Sequence, residues 1–193
     1  MSGGAGARRR IDIDRGTLAT RTRSVLSRGG WGNADVLLVE TETGPVVVKD
    51  FAPRGAWLRR TVAPWLLDRE ERAYRALAGV DAVPQLLGRL DRDALVLEYR
   101  PGALLSRSLR GRVPTGFMAD LEAAVGAMHA RGIVHLDLRH RSNVLAGEDG
   151  RPVLIDFASA LRFDVGTRLG RFLVRVLGAL DRRAIEKWRV RLV

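Results

Sequence analysis

The chain has 193 residues, 46% of them hydrophobic, with no cysteine, three histidines and a formal net charge of +11. That length accommodates one sizeable domain or two small lobes sharing a cleft. The composition excludes disulfides and thiolate metal sites and argues against a histidine-rich one; it offers neither the apolar run of a membrane-spanning helix nor the apolar segment of a secretory signal.

In chain order, residues 1–15 read as a disordered basic tail. "VLSRGGWGNADVLLVETETGPVVVKDF", 25–51, predicts three strands, at 25–28, 35–40 and 46–48. They form an antiparallel meander whose first turn is glycine-rich and whose second is the hairpin "TETG". "AWLRRTVAPWLL", 56–67, predicts a short amphipathic helix around Pro64. A main helix follows over 66–78, with Asp68, Glu70 and Glu71 early and Gly79 as its stop. Strands are expected at 86–90 and 94–99, and "RPG" then breaks regular structure. Beyond residue 103 the reading is mostly helical. A helix spans 115–132, with Thr115 as N-cap, Phe117, Leu121, Val125 and Met128 on one face, and Gly132 as stop. Short strands at 144–146 and 153–156 flank the turn "GEDGRP". Residues 157–193 read as one or two basic amphipathic helices.

Several residue types fall where phosphoryl transfer would use them. Such a reaction needs charge neutralisation and positioning more than covalent help. Gly29, Gly30 and Gly32 in "RGGWG" let backbone N–H groups approach phosphate. Of 33 basic residues only Lys49 and Lys187 are lysine, so Lys49 within the apolar strand "VVVKDF" stands out as a slim cation for a deep site. Its anionic partner is Glu70 or Glu71; Glu70 is favoured because Tyr74 and Leu77 place it on the apolar helix face. Glu98 and Tyr99 in "LVLEYRPG" offer backbone groups to an adenine edge. In "HLDLRHRSN", 135–143, Asp137 would orient the acceptor hydroxyl or take its proton, Arg139 would neutralise the transferring phosphate, and Asn143 would hold Mg²⁺. Asp156 in "LIDFASA" supplies a hard oxygen for the same metal.

Four of these segments, in this order, resemble the eukaryotic-type protein-kinase-like superfamily over residues 24–160. "VVVKDF" is similar to the strand carrying the ATP lysine, "LVLEYRPG" to the hinge, "GIVHLDLRHRSNVL" to the H-R-D-L-x-x-x-N loop and "LIDFAS" to the D-F-G segment. Three departures stand out. Five residues rather than four separate Asp137 from Asn143, so either the loop bulges and Asn143 ligates metal, the favoured reading, or Ser142 faces the site. Ala158 replaces the D-F-G glycine. The segment after Asp156 is too short for a peptide-docking lobe. That shortness is similar to the minimal bacterial kinases, the lipopolysaccharide (Kdo/heptose) kinases and the RIO-type kinases.

The resemblance implies an α+β, two-lobed protein-kinase-like fold: an antiparallel β N-lobe with one main helix over 16–98, a hinge over 99–102 and a reduced helical C-lobe over 103–193. It also implies an ATP- and Mg²⁺-dependent phosphotransferase acting on a hydroxyl acceptor. A lipopolysaccharide-core sugar is favoured, with protein Ser/Thr next and a nucleotide-binding pseudokinase as the alternative class. The basic charge, Trp57 and Trp65 among arginines, and the C-terminal amphipathic stretch lead us to expect a cytoplasmic protein in peripheral contact with anionic lipid at the inner membrane face. No aromatic-basic sheet motif or zinc signature points to a specific nucleic-acid partner.

Overall fold

A computed structural model of the protein describes residues 12–30 and 32–192. Most of the expected basic tail, residues 1–11, and Trp31 of the glycine-rich turn lie outside the described residues. The architecture is α+β, as expected, and is compatible with a reduced kinase-like fold; among the described residues it has four α-helices and an antiparallel five-stranded sheet. The chain forms two compact units. The first takes in the described chain up to Leu67 together with Leu86–Tyr99; the second takes in Asp68–Gln85 and the chain from Arg100 onward. One division therefore falls between Tyr99 and Arg100, inside the segment read as the hinge. Residues 68–85, expected in the N-lobe, group with the second unit.

The first unit is built on β1 (Thr22–Ser27), β2 (Asp35–Val39), β3 (Val46–Asp50), β4 (Leu86–Asp91) and β5 (Ala94–Glu98), in the order β1-β2-β3-β5-β4. Alternation along the strands sends side chains to two apolar faces. On one, Val39, Val46, Val48, Ala94 and Val96 pack with Ile13 and with Leu18 of the short helix α1 (Leu18–Arg21). Residues 12–15, expected as part of the disordered tail, are thus fixed to the sheet. Ile13 is buried in this core, and Arg15 bridges Asp50 at 2.6 Å and Asp91 at 2.7 Å. On the other face, Phe51 and Leu95 pack with Leu58, Ala63 and Leu67 of α2 (Ala56–Ala76). The separate helix expected around Pro64 does not exist: α2 is one helix of 21 residues with Pro64 inside it. Burial of Leu58, Ala63 and Leu67 outweighs the missing N–H and the ring clash that disfavour an interior proline.

The second unit contains the rest of α2, β6 (Gly102–Leu104), α3 (Phe117–Ala130), β7 (Ile133–Val134), β8 (Val144–Gly147), β9 (Pro152–Leu154), β10 (Leu161–Arg162) and α4 (Arg168–Leu192). β6, β8 and β9 form a three-stranded sheet, and β7 pairs with β10. α3 starts two residues later than expected: Gly116 is its N-cap, without a side-chain bond, so Thr115 does not cap it. The residues after Asp156 form one long helix of 25 residues after a short turn and strand. α4 buries Val174, Gly178, Asp181, Ala184, Ile185, Trp188 and Leu192, while Leu169, Phe172, Val176 and Leu180 stay exposed among arginines. No helix among the described residues is long and apolar enough to cross a membrane.

Pro64 lacks the N–H that would donate to the carbonyl four residues before it. Pro64→Ala should therefore raise the unfolding free energy by about 1–3 kcal/mol in a urea titration. An unchanged or lowered value would show that packing on the sheet requires the proline.

Candidate active site

Lys49 sits on β3, the central strand of the five, opposite Val36 of β2 and Leu95 of β5. Its pairing with Leu95 places it on the α2 face, and it is only 8% exposed. A surface lysine at a strand edge is thus ruled out, and an ammonium at such a position demands an anion. Glu70 is buried, whereas Glu71 pairs with Arg75 one helical turn on, at 2.6 Å. Of the glycines in the turn between β1 and β2, Gly29 has a steric reason: a Cβ there would lie 2.1 Å from the Asn33 carbonyl oxygen. Its N–H donates to Asp35 at 2.8 Å, and Asp35 also holds Arg54. Gly30 and Gly32 face open space. Glu98 closes β5 and Tyr99 follows it, both half-buried.

In the second unit Asn143 contacts Asp137, and Asp156 follows Ile155, whose main chain bonds both Asn143 and His135. Asn143, buried at 2%, donates its side-chain amide to both the Asp137 carboxylate Oδ2 and the Asp137 main-chain oxygen, each at 2.9 Å. The extra residue in the loop is absorbed by a 3₁₀ turn over Arg141–Asn143. His140 caps that turn, its imidazole Nδ1 meeting the Ser142 hydroxyl, and Ser142 in turn donates to Asn143 Oδ1 at 2.9 Å. Asn143, not Ser142, therefore contacts Asp137, and Ser142 braces it. Arg139 is exposed two residues beyond Asp137.

His135 joins this loop to the one carrying Asp156. A carbonyl only accepts, so His135 Nε2 carries the proton it donates to the Ile155 oxygen at 3.0 Å. The Ile155 N–H donates to the Asn143 main-chain oxygen at 3.1 Å. Burial pushes the His135 pKa below its ordinary value, against the opposing effects of the Ile155 carbonyl and of the Asp181, Asp156 and Asp137 carboxylates. All three carboxylates thus act on one imidazole. Phe157 is stacked at a tilt on His135 and edge-on to Tyr74 of α2, with ring centroids 4.9 and 5.0 Å away.

Among the described residues, Leu136 and Asp156 are the non-glycine residues with positive φ, at 68° and 64°. Asp tolerates this region; a branched Leu does so only when its surroundings impose it. For Leu136 the imposing group is Asp181 of α4, which the sequence reading did not single out. Its carboxylate is fully buried and accepts the His135 N–H, the Leu136 N–H and His129 Nε2, each at 2.9 Å. Gly178 makes this possible, since a Cβ there would lie 2.7 Å from the His129 ring. Trp188 adds a fourth tie, its indole N–H donating to the Leu138 oxygen at 3.0 Å.

No family model matches the chain. Over 180 residues, 80% of this chain, it is 31% identical to the probable SapB synthase of Streptomyces coelicolor. It is 36% identical to CBL-interacting protein kinase 16 of Oryza sativa subsp. japonica over 42% of its length. It is 35% identical to the serine/threonine-protein kinase WAG2 of Arabidopsis thaliana over 43%. In each case the match covers 19% of the relative, so the chain spans only a fraction of the proteins it resembles. The two plant matches mark a kinase-like relationship over less than half of the chain.

Because His135 is held neutral by burial, the unfolded chain takes up its proton at a higher pH than the folded one. Its contribution to stability is complete above the unfolded value of 6.5 and is lost as pH falls below it. Urea unfolding between pH 7.5 and pH 5 should show a steeper loss for the native sequence than for His135→Gln; parallel slopes would contradict this.

Proposed function

We propose that the protein is an ATP- and Mg²⁺-dependent phosphotransferase whose acceptor is a protein Ser/Thr hydroxyl. The observation that carries this reading is the Asp137–Asn143 contact, joined through His135 and Ile155 to Asp156. The relatives' names include a protein kinase and a serine/threonine-protein kinase. The lipopolysaccharide-core sugar favoured from the sequence draws no support from them.

The donors suit magnesium, a hard cation that takes carboxylate and amide oxygens. Among the described residues no cluster of three or more His, Cys, Asp or Glu forms a self-sufficient metal cage. Asp156 and Asn143 would hold the ion, which supplies neutralisation of phosphate charge when bound. Asp137, its carboxylate fixed by the Asn143 amide, orients the acceptor hydroxyl and accepts its proton as the oxygen bonds to the γ-phosphorus and the bond to ADP breaks. Arg139 offsets charge on the phosphoryl oxygens. Lys49 is the cation for the α/β-phosphates, and the turn at Gly29, Gly30 and Gly32 offers its N–H groups to phosphate. Backbone groups of Glu98 and Tyr99 serve the adenine.

Transfer from radiolabelled ATP to a mixed protein substrate tests this. Asp137→Asn and Asp156→Asn should each lower the rate by about 10³-fold or more while leaving the thermal midpoint within a few degrees. Transfer persisting in both variants would overturn the assignment. Tight ATP binding by the native sequence with no transfer to any acceptor would favour the pseudokinase.

A further inference from the structure

A cluster of cations lies beside the loop that carries Asp137. Lys187, one of the two lysines in the chain, donates from Nζ to the Arg139 main-chain oxygen at 3.4 Å. Arg191, one helical turn further along α4, lies over the Trp188 ring with Cζ 5.4 Å from its centroid. The Trp188 indole bond to the Leu138 oxygen fixes this part of α4 to the residue after Asp137. Desolvation, with Arg191 and Arg139 adding repulsion, holds the Lys187 ammonium below the ordinary lysine range. Nearby carboxylates are engaged elsewhere: Glu122 and Glu186 pair with Arg189, at 3.1 and 3.5 Å. Among the described residues no carboxylate pairs with Arg139, Lys187 or Arg191.

Like charges gathered without a counter-ion repel one another until an anion joins them, and guanidinium forks match a carboxylate. We infer that Lys187 and Arg191, next to Arg139, form an anion-binding subsite beside Asp137 that selects a Ser or Thr flanked by acidic residues. The identity of the hydroxyl rests on the phosphotransferase reading above; the charge preference of the subsite does not.

Serine peptides with acidic, neutral or basic flanks test both parts, with binding followed by fluorescence anisotropy and transfer by phosphate incorporation from Mg-ATP. The acidic peptide should exceed the neutral one by about tenfold, the scale of one charge-assisted hydrogen bond. Lys187→Glu combined with Arg191→Glu should bring that ratio to one or below. Lys187→Met with Arg191→Met, which keeps the apolar stems, should also remove the preference; circular dichroism establishes that each variant is folded. Arg168→Glu with Arg175→Glu makes the same change in net charge at least ~18 Å away along α4, and should leave the ratio intact. A preference that survives in both the Glu and Met variants, or that falls equally in the distant control, would overturn the subsite. Acidic binding that depends on Lys187 and Arg191 without any transfer would keep the subsite and defeat the phosphotransferase reading. Transfer without acidic preference would do the reverse.

Discussion

A fully buried carboxylate, that of Asp181, organises the second unit. An ionised side chain without access to water is tolerated only when hydrogen bonds replace its hydration. Asp181 receives three of them, from the His129 ring and from the main chain of His135 and Leu136. The requirement runs both ways. The carboxylate needs those donors, and Leu136 can hold a left-handed backbone only because its N–H is claimed there. Asp137 follows directly, so the direction in which its carboxylate is presented is set by a residue 44 positions later in the chain.

From that constraint the rest of the site is assembled through short-range ties. Asn143 grips Asp137 from the far end of the loop, and His135 reaches across to Ile155, which puts Asp156 at the start of the next turn. Phe157 fills the space between His135 and Tyr74, linking the loop to the end of α2. α4 is therefore a scaffold rather than an appendage. One side carries Asp181 and Trp188 inward to the loop, and the other exposes apolar side chains among arginines, the composition that raised the expectation of lipid contact. Lys187 reaches the loop through its bond to the Arg139 main-chain oxygen.

Features fixed by local sequence were legible in advance. Three successive valines before Lys49 announced a strand, and Lys49 is buried on the central one. The choice between Glu70 and Glu71 rests on helical spacing; Glu70 is 2% exposed and the Glu71 side chain 15%. What failed depended on tertiary context. The stretch around Pro64 reads as a short helix separate from the one over 66–78, yet packing of α2 on the sheet makes them one. Thr115 reads as a cap, yet the helix begins after Gly116. In the sequence Asp181 reads as one charge in a basic amphipathic stretch. Its signal was its register: spaced with Val174, Gly178, Ile185 and Trp188, it falls on the buried face of α4, where an unpaired carboxylate could not stay.

The claim most exposed to test is that this carboxylate, acting from α4, sets the backbone of the loop before Asp137. Amide hydrogen exchange at His135 and Leu136, compared between the native sequence and Asp181→Asn, measures it directly. Loss of charge-assisted acceptance predicts exchange faster by about 10- to 100-fold at those two amides, with β1–β5 unchanged. Equal protection in both proteins would show that the loop holds its left-handed turn without Asp181 and would contradict the account.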